Sequence, residues 1–301
     1  MEQDSTLFFD KATVIGITKK ALQIAETLSA AGIEVLLVGP DKEQTEAAIA
    51  GIGESIDREI QRWGMTESDK RAILARITPT DKLESIGECK VVVEAMGLNF
   101  QDKRDALERV EQSCPGSLDL YVIHISTLSV TEIAGNSSLR DKVIGMHFLE
   151  PVPKIPVVEL VRGLHTSDQT VEVAKQLAKR LNKTAVEVFE YPGYITTRVM
   201  LPMINEAIQV LLEGIATAED IDTAIKLGYN LPVGPLAMAD SLGLDTILRR
   251  MDNLFHELGD VRFRPSPLLR KMVRAGKLGR SVGEGFFHYE TRDAYALGKN
   301  M

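Results

Sequence analysis

Along the first two thirds of the chain, short unbroken apolar runs alternate with longer segments of helical period. "ATVIGI" (12–17) is continuous and β-branched, the pattern of a strand buried on both faces. "KKALQIAETLSAAG" follows, with Ala21, Ile24, Ala25 and Leu28 on one helical face and Gly32 as its stop. "EVLLVG" is a second strand. Strand, helix and strand in so few residues predict a right-handed parallel crossover. From Asp41 to Arg76 the pattern is charged and helical, broken at "GMTESDK", where Thr66 is a candidate N-cap with Asp69 three residues on. That stretch predicts a helical hairpin projecting from the sheet. Further strands are expected at "KVVVEAM" (90–96), "DLYVIHIST" (119–127), "KVIGMHF" (142–148), "PVVELVR" (156–162) and "TAVEVFE" (184–190). Helices are expected at "NFQDKRDALERVEQSC" and "TEIAGN". The alternation predicts an α/β fold with a Rossmann-like doubly wound sheet.

After "YPGY" (191–194) the pattern changes. "TRVMLPMINEAIQVLLEG", "ATAEDIDTAIKLG", "GPLAMADSLGLDTILRRMDNLFHELG" and "SPLLRKMVRAG" all have helical period, and a strand is expected again only at "EGFFHYE". Two domains are therefore expected, a Rossmann-like one over 1–191 and an all-α one over 192–301.

Composition narrows the function classes. The 301 residues carry a net charge of -8, which argues against a general polyanion binder and so against a nucleic-acid partner, though one local basic pocket stays open. Cys89 and Cys114 have no metal-ligand spacing, so no metal is expected and free thiols in a reducing compartment are the simplest reading. "MEQDSTLFFDKA" shows neither a basic start nor a long apolar run, and no segment has the length of a bilayer span. A cytoplasmic protein without membrane attachment is the expectation.

Three long motifs carry more. "GMHFLEPVPKIPVVELV" occupies 145–161, "PGYITTR…NEAI…EGIATAEDIDTAIKLG…PVGPLAMADSLGLDT" lies within 192–246, and "GRSVGEGFFHY" closes at 289. Together they resemble the 3-hydroxyacyl-CoA dehydrogenase family, of the short-chain, 3-hydroxybutyryl-CoA type, over nearly the whole chain. The resemblance implies hydride transfer between C3 of a 3-hydroxyacyl-CoA and NAD or NADP. A hydride leaves a secondary alcohol only as its O–H proton is removed, so a base must reach that oxygen. By resemblance His147 is that base, Glu159 the carboxylate that orients it, Ser126 a contact to the substrate oxygen, and Thr197 the residue beside substrate and dyad. Ser55 and Arg62, seven apart on one helical face, fall where the family binds the phosphorylated end of coenzyme A. Solvated surface residues are the competing account of that pair. The acyl-CoA site is expected in a cleft involving the helical domain, with assembly as a homodimer or with an active homologue as a hetero-oligomer.

The expected cofactor contacts are Gly16, Thr18, Ala21, Gly39 and Lys103, and several depart from the family pattern. The phosphate-loop turn reads "GITKKA" in place of GxGxxG. Gly16 keeps the first position and Ala21 is tolerated at the third, but Thr18 places a β-branched side chain where backbone should approach a pyrophosphate. The alternative is that Thr18 is simply the N-cap of the helix behind it. Lys19 and Lys20 open that helix; they could recruit an anion or merely be solvated. Gly39 stands where an acid would grip the ribose, Leu98 where a glutamate would stand, and Glu150 where an asparagine would. Lys42 nearby argues for NADP and Asp41 against it. Cofactor binding is therefore expected to be weak or absent. A non-redox homologue that binds acyl-CoA, or uses the dyad for acid–base work alone, is the competing expectation.

Overall fold

The computed structural model describes residues 9–289, apart from 62, 63, 88, 98, 115, 126 and 127. The chain divides after Tyr194 into two compact units.

In the first unit, β1 (Lys11–Ile15), α1 (Lys19–Ala30) and β2 (Glu34–Val38) form the crossover that the pattern predicts, with β1 parallel to β2. β3 (Ile77–Thr80), β4 (Val91–Glu94), β5 (Leu120–His124), β6 (Val143–Phe148), β7 (Val157–Arg162) and β8 (Thr184–Phe189) complete an eight-stranded sheet in the order β3-β2-β1-β4-β5-β6-β7-β8. Every neighbouring pair is parallel except β6 with β7. The strand order reverses between β1 and β4, the switch point where open α/β sheets leave a crevice beyond the strands' carboxyl ends.

Each face of the sheet has its own core. On one, α1, α2 (Lys42–Gln61), α3 (Glu67–Ala75) and α6 (Asp168–Arg180) bury Ile24, Leu28, Ile52, Ile56, Ile73 and Leu177. On the other, α4 (Phe100–Ser113) and α5 (Val130–Ala134) bury Leu107, Val110 and Ile133. Each such side chain contributes about 1.5–3 kcal/mol by leaving water. The α2–α3 pair is thus no free projection, because Ile52, Ile56 and Ile73 anchor it to the sheet. Its break is as read: the Thr66 side chain accepts from the Asp69 N–H at 3.2 Å, and the Asp69 carboxylate accepts from the Thr66 N–H at 2.9 Å, a reciprocal capping box.

Two elements escaped the pattern. β3 is only "ITPT", and its Pro79 suits an edge strand, where a missing N–H costs least. α6 fills the interval after β7, capped by Ser167, which accepts from Thr170 N at 3.1 Å.

The second unit is helical, with α7 (Thr196–Leu212), α8 (Ala218–Gly228), α9 (Pro235–Leu242), α10 (Leu244–Leu258) and α11 (Pro267–Arg274) around Ile204, Ile208, Leu236, Ile247, Met251 and Phe263. Two buried aspartates explain why its motifs read as they do. Asp222 accepts from the N–H groups of Leu236 and Ala237, both at 2.8 Å, and so caps first-turn donors of α9 that have no carbonyl within the helix. Asp240 accepts from Phe286 N, Phe287 N and Tyr289 Oη at 2.9–3.0 Å and docks the closing glycine-rich segment. A side chain at Gly285 would collide with the Asp240 carboxylate. The strand expected at "EGFFHYE" is absent among the described residues: backbone bonds to aspartate take the place of a ladder, leaving isolated bridges at Glu284.

Candidate active site

The groups that matter stand at the carboxyl ends of β1, β4, β5 and β6 in the first unit. The turn after β1 begins with Gly16, whose φ of +112° suits glycine alone. A Cβ there would lie 3.0–3.1 Å from Met96 N and from the carbonyl of Ala95, so the backbones of the β1 and β4 ends approach as only a hydrogen permits. Thr18 then turns its side chain inward. Its hydroxyl accepts from Ala21 N at 3.1 Å and donates to Ala95 O at 2.8 Å, which makes it the N-cap of α1 and a tie to β4. The side chain expected to obstruct a pyrophosphate is thus engaged with the frame of the turn. Ala21 is fully buried, as close packing of α1 on the sheet requires. The cradle fits a dinucleotide, and the physical objection raised by Thr18 falls.

Beyond β2, Gly39 has a structural reason of its own: a Cβ there would collide with the Thr45 hydroxyl. Asp41, two residues on, accepts from Gln44 N at 2.8 Å at the start of α2. Lys42 pairs at 3.7 Å with Glu46, one turn along α2. Lys103, expected as a cofactor contact, is instead fully buried. Its Nζ donates to Glu94 Oε2 at 2.7 Å and to the carbonyl of His124 at 3.1 Å, tying α4 to the ends of β4 and β5. Glu94 accepts further from Met96 N at 2.7 Å. Burial pushes its carboxyl above the usual range, against the pull of Lys103.

Lys19 and Lys20 do meet an anion, supplied by the chain itself. Glu150 pairs with Lys19 at 2.6 Å and with Lys20 at 2.8 Å. Burial alone would raise the Glu150 carboxyl, but Lys20 and Lys19 outweigh it and draw it down to about 2.

The expected dyad is assembled by strand register. β6 and β7 run antiparallel with His147 directly opposite Glu159, so both side chains leave the same face. His147 Nδ1 lies 2.5 Å from Glu159 Oε2, and both residues are almost wholly buried. A carboxylate can only accept there, so Nδ1 carries the proton and the tautomer is fixed, leaving Nε2 as the basic nitrogen. The loop between the two strands is pinned from beneath by Lys183, which donates to Val152 O at 2.6 Å and Ile155 O at 2.7 Å.

Two aromatic neighbours flank the imidazole: His124, which lies in none of the three motifs, and Tyr194, which lies in "PGYITTR" without a role expected of it. The His124 ring lies parallel to it with centroids 6.4 Å apart, and the Tyr194 ring is tilted against it at 5.6 Å. The Tyr194 hydroxyl is buried without a hydrogen-bond partner among the described residues, and burial raises it well above the usual phenol range. The one available signal for His124 was its place at the end of a parallel strand. Of the other expected residues, Ser126, Arg62 and Leu98 lie outside the described residues. Ser55 is half-buried on α2, and Thr197 is buried near the start of α7 in the second unit. Among the described residues no three His, Cys, Asp or Glu side chains form a metal-binding group, and no helix is long and apolar enough to cross a membrane.

Comparison with known proteins agrees with this geometry. Residues 11–191 match the family model described as 3-hydroxyacyl-CoA dehydrogenase, NAD binding domain, and residues 193–289 match that of its C-terminal domain. The chain is 40% identical over 279 residues to a probable 3-hydroxybutyryl-CoA dehydrogenase of Bacillus subtilis, covering 93% of this chain and 97% of that one. It is 36% identical to a 3-hydroxybutyryl-CoA dehydrogenase of Clostridioides difficile, covering 93% and 99%. The crystal structure of (S)-3-hydroxybutyryl-CoA dehydrogenase from Ralstonia eutropha superposes with a TM-score of 0.85 at 37% identity, covering 94% of this chain and all of that one. The match to the NAD-binding model spans the very turn whose departures suggested weak or absent cofactor binding, and that expectation is not supported. The non-redox alternative loses its ground with it. With both domain models matched in order and relatives at this identity along nearly its full length, the chain belongs to the 3-hydroxyacyl-CoA dehydrogenase family.

Proposed function

We propose that the protein interconverts a 3-hydroxyacyl-CoA and the 3-oxoacyl-CoA with NAD, His147 acting as general base toward the C3 hydroxyl and as general acid in the reverse direction. The observation that carries this reading is the buried 2.5 Å contact between His147 Nδ1 and Glu159. It commits Nδ1 to the carboxylate and makes Nε2 the basic nitrogen of the ring, the one suited to the alcohol proton. When that proton arrives, the imidazolium forms against a carboxylate already in place, with no reorganisation at the moment of reaction. NAD, when bound, supplies the hydride acceptor. Gly16 offers backbone to its pyrophosphate, and the Lys19–Lys20–Glu150 group keeps a net positive charge near the start of α1, favourable for a phosphate diester. Asp41 near the end of β2, with Lys42 engaged by Glu46, favours NAD over a 2′-phosphorylated cofactor.

By resemblance Ser126 and Thr197 would meet the substrate, and Ser55 with Arg62 the coenzyme A phosphates. A short acyl chain follows from the names of the relatives. A homodimer is favoured by exposed Val199, Ile215, Leu227 and Tyr229 on the helical unit. A reducing, cytoplasmic setting suits the two buried free thiols.

The test is the loss of NADH absorbance with acetoacetyl-CoA. His147→Ala should lower kcat by 10²–10⁴-fold, the share a positioned base supplies, with NADH affinity retained. Turnover undiminished in that variant would refute the assignment.

A further inference from the structure

His124 stands beside the dyad and takes no part in the chemistry of His147 and Glu159. It ends β5, opposite Met146 in the β5–β6 register. Its Nδ1 lies 3.1 Å from Met146 O, and a carbonyl oxygen can only accept, so Nδ1 carries the proton and Nε2 presents a lone pair. Among the described residues nothing bonds Nε2. Burial, with Lys20 of α1, His147 of β6 and Lys103 of α4 around it, keeps the ring neutral well below the ordinary imidazole range. The ring is also fixed in place: His147 stacks on it, the Phe148 ring lies 6.2 Å away, and Lys103 holds the residue's own carbonyl. A neutral, immobile acceptor at the end of a parallel strand calls for a donor.

Geometry narrows what that donor is. A hydride acceptor must sit about 3–3.5 Å from the carbon whose oxygen meets His147. A dinucleotide seated on the Gly16 turn at β1 reaches β6 only by crossing the ends of β4 and β5, and His124 is the last residue of β5. The neighbouring carboxylates are already committed: Glu94 to Lys103 and Met96 N, Glu150 to Lys19 and Lys20. We propose that His124 reads the nicotinamide, its Nε2 accepting the carboxamide N–H and so setting which way the ring faces beside His147. This rests on the reading as an NAD-dependent enzyme.

The experiment is a fluorescence titration, without acyl-CoA, of NADH and of its reduced 3-acetylpyridine analogue, whose methyl ketone has no N–H to give. The wild-type protein should bind NADH about tenfold more tightly than the analogue, the worth of one neutral hydrogen bond. H124F keeps the ring's footprint and removes the acceptor. It should weaken NADH about tenfold and leave the analogue within about twofold, abolishing the discrimination, whereas H124Q, which retains an acceptor oxygen, should keep part of it. Should H124F fail to fold, H124A against H124Q makes the same comparison. Equal weakening of both cofactors, equal binding of both by the wild type, or discrimination that survives H124F and H124A overturns the assignment and leaves the dehydrogenase reading standing. A wild-type protein that binds neither cofactor overturns both.

Discussion

Replacing Lys103 by Met separates a structural lysine from a cofactor-binding one. Nζ and the Glu94 carboxylate are both fully buried and 2.7 Å apart. Met fills much of the lysine's volume but leaves the carboxylate with the Met96 N–H as its remaining described donor. Burial already lifts the Glu94 carboxyl, so without its cation the group must take a proton or stay charged in the core. Breaking a buried pair in this way costs about 3–5 kcal/mol. Lys103→Met with Glu94→Gln removes the orphan charge, and the double variant should recover to within about 1–2 kcal/mol of the wild type. Urea unfolding followed by the fluorescence of Trp63, the one tryptophan of the sequence, measures each term. A Lys103→Met variant of wild-type stability that binds NADH poorly would refute the reasoning and restore Lys103 as a direct cofactor contact.

Three further outcomes follow from the same structure. Burial and the nearby Glu59 carboxylate push Glu26 up from 4.5 to about 7. The folded state therefore holds a proton that the unfolded state releases, and stability falls as pH rises through that window, by on the order of 3 kcal/mol at 1.36 kcal/mol per unit. Glu26→Gln should flatten that fall between pH 5 and 8 in urea titrations and be the more stable protein at pH 8; an unchanged slope would count against it. Gly16→Ala must force a Cβ against the backbone of Ala95 and Met96 at a φ of +112°, costing about 1–3 kcal/mol and weakening NADH binding, and wild-type values of both would overturn the cradle argument. Tyr121→Phe removes a buried hydroxyl that has no partner among the described residues and should raise the melting temperature, by about 1 kcal/mol of stability; a lower melting temperature would mean that the hydroxyl is satisfied after all.

Much of this protein was legible in the order of its residues. Unbroken β-branched runs mark the buried parallel strands, because such strands face apolar layers on both sides and show no polar alternation. His147 and Glu159 were nameable from their motif, and the change from strand to helical period after "YPGY" announced the second unit. The short edge strand "ITPT" was not legible, since its hydrogen bonds come from β2 and nothing local favours a strand. Thr18 shows the limit most plainly. Sequence identifies a β-branched residue in a phosphate-loop turn, but only the fold brings the Ala95 carbonyl within 2.8 Å of its hydroxyl and turns an apparent obstruction into a cap. Lys103 and Glu94, nine apart along the chain, become a buried pair only when α4 lies against β4 and β5. His124 meets His147 only through the β5–β6 register. Local pattern indicates what the long, strongly periodic segments become, because period and propensity act over a few residues. Which charges are buried, which are paired and which atoms are left to meet a ligand depends on residues distant in sequence, and the tertiary structure decides it.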